Sequence, residues 1–185
     1  MFTCKQTFFA LVITVCVPFL LTAQQADESA RSLFHYPWLH KHLPVSELTT
    51  YEGEKTKLFE PESARLYVFN FWFSACPPCL NEISWLNRIE QEFKGKNIRF
   101  IAISFDDKET HSEIIRHHPF SFEQFYLDRN EIYTNQLVMG FPTTVITDEK
   151  GKVLYSKAGG AADEEGAKKI YFLLTEELKK YSNDK

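Results

Sequence analysis

Residues 66–79 read LYVFNFWFSACPPC. The first eight are apolar or aromatic apart from one asparagine, a composition that predicts a central β-strand covered on both faces. A Cys-Pro-Pro-Cys motif, residues 76–79, follows the strand, and apolar residues at three- and four-residue steps then predict a helix over 77–94. The sequence therefore predicts a cysteine pair at a strand-to-helix turn.

Strands and helices continue to alternate after this turn. The pattern predicts strands at 98–104, 122–126, 143–147 and 152–156, and helices at 107–117, 128–137 and 163–181. Residues 24–56 are expected to form an irregular N-terminal extension, with one short strand near 57–59, and the folded domain is expected to span 57–185. This order indicates an α/β domain with a central sheet flanked by helices.

Length and composition indicate one globular domain. The chain has 185 residues, 44% of them hydrophobic and 15% aromatic, which is enough to bury a core. The formal net charge is only −4, and no run of Lys and Arg reaches the density of a nucleic-acid or anionic-lipid surface. No nucleic-acid partner is predicted.

The first 23 residues have the pattern of a signal peptide. Lys5 precedes an uncharged apolar run over 8–21, and Ala23 stands where cleavage is expected. We therefore expect residues 1–23 to direct export and to be removed. Two alternatives remain: an uncleaved membrane anchor, which is the only case in which membrane association is expected, and a lipoprotein signal centred on Cys16, with Val15 before it.

Removal of residues 1–23 leaves Cys76 and Cys79 as the two cysteines of the mature chain. A disulfide between them would close a very short loop, which adds little stability. Redox chemistry explains the pair better than a structural bridge. Structural zinc would need two further ligands, and the six histidines show no ligand spacing paired to the cysteines, so no metal and no cofactor are predicted.

The position of the pair assigns a role to each sulfur. Cys76 lies at the N-terminal end of the predicted helix, where unpaired N–H groups favour a thiolate, and it is expected to be the exposed attacking group. Pro77 and Pro78 fit the first helical turn, where a missing N–H costs little. Cys79, one turn further, is expected to be the resolving thiol.

Glu82 lies three residues after Cys79, on the same face of the predicted helix. A partly buried carboxyl at this position could accept the proton that Cys79 must lose. The alternative is an ordinary solvated glutamate on the helix surface.

These motifs resemble a known family. Residues 71–79, FWFSACPPC, followed by GFPT at 140–143, resemble the thioredoxin superfamily and, more narrowly, its exported TlpA/ResA-like branch. Asn70, Glu82 and the stretch between Ser104 and Asn135 support the branch, in which an extra strand and helix are inserted into the three-layer fold. Ala75 departs from the branch, where many relatives have Trp before the first cysteine.

The resemblance implies a protein-disulfide reductase, or less readily an isomerase, that acts outside the cytoplasm. It implies a cis peptide bond before Pro142, which sequence alone would interpret as a plain turn, and it implies that the backbone of Phe141 and Thr143 holds an extended substrate. Trp72 is included among the substrate-binding residues, in the wall of the active site. The implied partners are exported proteins with disulfides, such as apocytochrome c, and a thiol donor at the membrane.

Two other functions remain as alternatives. A thiol peroxidase of related fold would have Thr or Ser three residues before its reactive cysteine, where this chain has Phe73. A non-catalytic copper chaperone would use the two thiolates as soft ligands, but proteins of that kind usually have wider cysteine spacing and a downstream histidine.

Overall fold

The structure is a computed structural model that describes residues 36–182. The predicted signal peptide, with Cys4 and Cys16, lies outside the described residues. The elements in chain order are β1 (Glu47–Thr50), β2 (Lys55–Lys57), β3 (Leu66–Trp72), α1 (Pro77–Glu92), β4 (Ile98–Ser104), α2 (Lys108–His117), β5 (Glu123–Tyr126), α3 (Arg129–Thr134), β6 (Thr143–Asp148), β7 (Val153–Ala158) and α4 (Glu164–Ser182).

The strands form one mixed sheet in the order β2-β1-β5-β4-β3-β6-β7. β3 is central, parallel to β4 and antiparallel to β6, and all seven of its residues are buried. Val68 and Trp72 pack with α1 and α4 on one face, whereas Phe69 and Phe71 pack with α3 on the other. A strand with both faces buried needs apolar residues at every position, so the prediction of a covered central strand is confirmed.

The N-terminal part of the fold differs from the sequence interpretation. Residues 24–56 were predicted to be irregular, but 47–57 form the β1–β2 hairpin, and β1 pairs antiparallel with β5. Leu48 of β1 is 1% exposed and lies in the same core cluster as Leu43 and Val45. The fold therefore begins before Lys57. β1 (ELTT) and β2 (KTK) are short and mostly polar, so they show no apolar period, and the strand predicted near 57–59 overlaps β2 only at Lys57.

The helices follow the predicted pattern with small differences at their ends. α1 begins directly after Cys76, with proline at its first two positions, and packs on α4. α3 ends at Thr134 instead of continuing to residue 137, and the Asp128 carboxylate caps its start. None of the helices within residues 36–182 is long and apolar enough to cross a membrane.

Candidate active site

The two cysteines of the motif form a disulfide at the start of α1. The Cys76 and Cys79 sulfur atoms are 1.98 Å apart, and the Cα atoms are 5.3 Å apart. Cys76 is the N-cap residue of α1, and its sulfur accepts a hydrogen bond from the Cys79 N–H at 3.3 Å. This bond satisfies one of the N–H groups that a helix start leaves without a partner.

The exposure of the two sulfurs differs from the prediction. Cys76 was expected to be exposed, but in the disulfide it is only 4% exposed, and Cys79 is 2% exposed. Both belong to the core cluster between the sheet and α1, because the short loop holds Cys76 against the helix that buries Cys79. Only a small edge of the disulfide is therefore open to a partner.

Asp106 fixes the loop that carries Cys76. Its carboxylate accepts hydrogen bonds from the Ser74 N–H at 2.7 Å, the Ser74 hydroxyl at 3.0 Å and the Ser104 hydroxyl at 2.9 Å. β3 and β4 are parallel, and Trp72 is in register with Ser104, so both strands end at the same edge of the sheet. Asp106 follows the end of β4 by two residues, and its pairing with Ser74 depends on that register.

A second loop lies against the motif from the other side. The Phe141–Pro142 peptide bond is cis, and the Pro142 carbonyl accepts a hydrogen bond from the Gly159 N–H at 2.8 Å. Gly160 lies between two prolines: a Cβ atom there would be 2.6 Å from Pro142 Cδ and 2.8 Å from Pro78 Cβ. Gly160, for which the sequence indicated no role, therefore lies between the Pro142 loop and the cysteine motif and contacts both.

The predicted substrate-binding residues occupy different depths. Phe141 is half-buried and meets Phe73 edge to face, with ring centroids 5.1 Å apart. Thr143 is 0% exposed and lies between β3 and β7, and its hydroxyl donates to the Gly140 carbonyl at 2.6 Å, so it offers no open surface to a substrate. Trp72 is also fully buried and packs against Phe120, which corrects its assignment: the indole lies in the core and offers no surface to a substrate.

Aromatic residues continue the surface beside the motif. Phe105 stacks on Phe73 with centroids 5.2 Å apart and also meets Phe141 at 5.6 Å. Tyr133 of α3, half exposed, extends the row from Phe141, and the Arg129 guanidinium lies 5.1 Å from the centre of the Phe105 ring. We call Phe73, Phe105, Phe141 and Tyr133 the aromatic row. Phe105 and Tyr133 come from distant segments, so their sequence positions gave no indication of it.

Glu82 is buried one turn below the disulfide. It is 2% exposed, and burial raises its pKa to about 7, although the nearby charge of Lys157 and a hydrogen bond from the Ala161 N–H, at 3.2 Å, both lower it. The alternative of a solvated surface glutamate is therefore wrong. A carboxyl with this pKa changes between its proton-accepting and proton-donating forms near neutral pH.

A disulfide that closes so short a loop contributes little to stability, and its place at the head of a helix favours exchange with other thiols. The protein is a thiol-disulfide oxidoreductase of thioredoxin-like fold. More narrowly, it belongs to the AhpC/TSA family, whose model matches residues 39–156. That match begins before β1 and so includes the hairpin that the sequence interpretation left outside the domain.

Curated relatives agree with this class. The chain is 27% identical over 130 residues to the thioredoxin-like protein YneN of Bacillus subtilis, covering 69% of this chain and 75% of that protein. It is 26% identical over 126 residues to the thiol-disulfide oxidoreductase ResA of Bacillus thuringiensis, covering 68% and 72%. A solved thiol:disulfide interchange protein from a Bacteroides species shares the fold, with a TM-score of 0.62, 19% identity and coverage of 80% and 92%.

Proposed function

We propose that this protein reduces disulfides in exported proteins by dithiol exchange through Cys76 and Cys79. The observation that carries the proposal is the cysteine pair at the first turn of α1 with the buried carboxyl of Glu82 one turn below it. The first turn favours the thiolate that attacks, and the carboxyl can take up the proton that the second thiol must lose.

The exchange takes place in two steps with balanced electrons and protons. In the first step, the Cys76 thiolate attacks one sulfur of the substrate disulfide, and the other substrate sulfur leaves and takes a proton. In the second step, Cys79 gives its proton to the Glu82 carboxylate and attacks the Cys76 sulfur. The second substrate sulfur leaves as a thiolate and takes up a proton, which Glu82 can return. The substrate gains two electrons, and the protein ends with the Cys76–Cys79 disulfide.

The surface around the motif fits an extended polypeptide. Gly160 lies against both Pro142 and Pro78, so the Pro142 loop adjoins the cysteine motif, and the aromatic row gives an apolar surface for side chains that flank a substrate cysteine. Apocytochrome c is one substrate that meets this description.

Export and electron supply belong to the same proposal. The signal pattern of residues 1–23 supports a periplasmic or otherwise extracytoplasmic location, with cleavage after Ala23. A reductase in an oxidising compartment needs a continuous supply of electrons, so the proposal includes a thiol donor at the membrane. N-terminal sequencing of the exported protein is expected to begin at Gln24; retention of residues 1–23 would favour the membrane anchor.

Trapping of the mixed disulfide tests the function. A Cys79→Ala variant cannot complete the second step, so it is expected to accumulate exported proteins joined to Cys76 by a bond that dithiothreitol releases. The matched Cys76→Ala variant lacks the attacking sulfur and is expected to trap none. Equal yields of adducts from the two variants, or none from either while both are folded, would contradict the proposal.

The redox potential tests the direction. Equilibration with glutathione is expected to give a potential more reducing than that of the glutathione couple, as a reductase requires. A strongly oxidising value would remove the reductase assignment. Rapid consumption of peroxide would favour a thiol peroxidase, and tight binding of Cu(I) without insulin reduction would favour a copper chaperone.

A further inference from the structure

Lys157 lies near the end of β7, on the sheet face that α1 covers. The strand registers align Asn70 of β3 with Thr144 of β6, and Thr144 with Lys157 of β7. Side chains of cross-strand partners point to the same face of a sheet, and the Asn70 amide donates to the Thr144 hydroxyl at 3.0 Å. This face also carries Trp72, which packs with α1. Lys157 therefore extends along the side of the sheet on which Glu82 is buried.

One short segment contacts both charged groups. The Lys157 ammonium donates a hydrogen bond to the Gly159 carbonyl, and the Glu82 carboxyl accepts one from the Ala161 N–H at 3.2 Å. Residues 157–161 therefore contact the ammonium of Lys157 near one end of the segment and the buried carboxyl of Glu82 at the other. Asn81, next to Glu82 in α1, holds the same segment through hydrogen bonds from its amide to the Ala161 and Ala162 carbonyls.

Within residues 36–182, the charged side chain that acts on Glu82 is that of Lys157. Burial raises the pKa of Glu82, and the charge of Lys157 offsets part of that rise. Burial lowers the pKa of Lys157, and the charge of Glu82 offsets part of that fall. On the sheet beneath Glu82, the side chains of Asn70 and Thr144 are neutral. The pKa of Tyr155 in β7 is raised by burial and, among charges, by Glu177 and Tyr181. The charged residues of the first turns of α4 and before it are exposed to solvent: Asp163, Glu164, Glu165, Lys168 and Lys169.

We propose that Lys157 is a positioning residue for Glu82: its ammonium stabilises the ionised form of the buried carboxyl, which is the form that takes the proton from Cys79. This inference rests on the proposed function, because it assigns to Lys157 a part in the second step of dithiol exchange. A buried carboxyl without a cation keeps its proton to higher pH, and a protonated Glu82 cannot act as the acceptor.

Replacement of the cation tests the inference through the pH profile. In Lys157→Met, the pH midpoint at which the second exchange step becomes fast is expected to move upward by about one pH unit. Lys157→Arg is expected to restore the midpoint. Lys152→Met removes the same charge from an exposed position just before β7 and is expected to leave the profile unchanged. The measurement is single-turnover release of substrate thiol from pH 5.5 to 9.

A second measurement separates this inference from the proposed function. Carbon-13 NMR of the Glu82 carboxyl in the oxidised protein follows its titration without any substrate, and the Lys157→Met midpoint is again expected to lie above that of the wild type. An unchanged NMR midpoint would overturn the role of Lys157, even if the exchange activity is intact. If the wild type does not exchange disulfides but the NMR midpoint of Lys157→Met is shifted, the proposed function alone would be overturned. If Lys157→Met does not fold, Lys157→Gln replaces it in both measurements.

Discussion

At the residue scale, the burial of Glu82 makes the stability of the protein depend on pH. Folding raises the Glu82 pKa from its ordinary value of 4.5 to about 7 because burial disfavours the charged form. The folded protein therefore holds this proton over a pH range in which the unfolded chain releases it. The stabilisation is complete below pH 4.5 and is lost as pH rises through 7.

Glu82→Gln is expected to remove this dependence. In the oxidised protein, the wild type is expected to lose roughly 3 kcal/mol of its free energy of unfolding through Glu82 between acid pH and pH 8. The variant is expected to show no such loss. Urea unfolding at pH 4.5, 6 and 8 measures the difference. Glu149→Gln, at an exposed carboxyl in the β6–β7 turn, is the control and is expected to show no such trend. A parallel pH dependence in Glu82→Gln and the wild type would contradict the burial of a titrating carboxyl.

Gly160 provides a second prediction at the residue scale. A Cβ atom at this position would be 2.6 Å from Pro142 Cδ and 2.8 Å from Pro78 Cβ, and neither ring can turn away without moving its backbone. Gly160→Ala is therefore expected to push the Pro142 loop away from the cysteine motif and to slow disulfide exchange by about tenfold or more, because catalysis is sensitive to small displacements.

Insulin reduction measures this effect. Ala162→Ser adds one atom at an exposed position two residues further and is expected to retain wild-type activity. Full activity of Gly160→Ala would show that the two loops tolerate separation and that their contact does not position the site.

At the scale of elements, the β1–β2 hairpin is an integral part of the sheet. β1 covers the edge of β5, and its Leu48 is 1% exposed in the core cluster on that face. Leu48→Ala is expected to lower the free energy of unfolding by about 2–4 kcal/mol, since it removes buried methyl groups and leaves a cavity.

The neighbouring Glu47 supplies the control for the hairpin. Its carboxylate pairs with Lys55 at the surface, 2.7 Å away, and an exposed ion pair of this kind contributes little to stability. Chemical denaturation of Leu48→Ala and Glu47→Ala compares the two positions. Equal small losses would mean that the hairpin packs loosely on the domain.

At the scale of the whole molecule, the redox state of the cysteine pair and the stability of the fold are linked. In a protein that reduces other disulfides, the disulfide form is more stable relative to the dithiol form in the folded state than in the unfolded chain. The oxidised protein is therefore expected to unfold at a higher denaturant concentration than the dithiol form. The stability difference should equal the difference in potential between the protein and a peptide of residues 74–81, with 30 mV corresponding to about 1.4 kcal/mol. A more stable dithiol form would indicate an oxidant instead.

The sequence by itself determined the features that depend on neighbours along the chain. The unbroken apolar run of β3, the stripe of α1, the Asp128 cap and the cysteine pair at a helix start are each encoded within a few residues. Local periodicity and capping fix such features before any distant contact forms. The fold class and the position of the disulfide follow from them.

Only the tertiary structure decided which distant residues meet. The contacts of Asp106 with Ser74, of Gly160 with Pro78 and Pro142, and of the segment 157–161 with Glu82 join parts of the chain that are 18 to 82 positions apart. The same packing buries Trp72 and brings β1 onto the sheet. Strand register and side-chain burial depend on how whole layers pack together, so a single sequence contains no local signal for them.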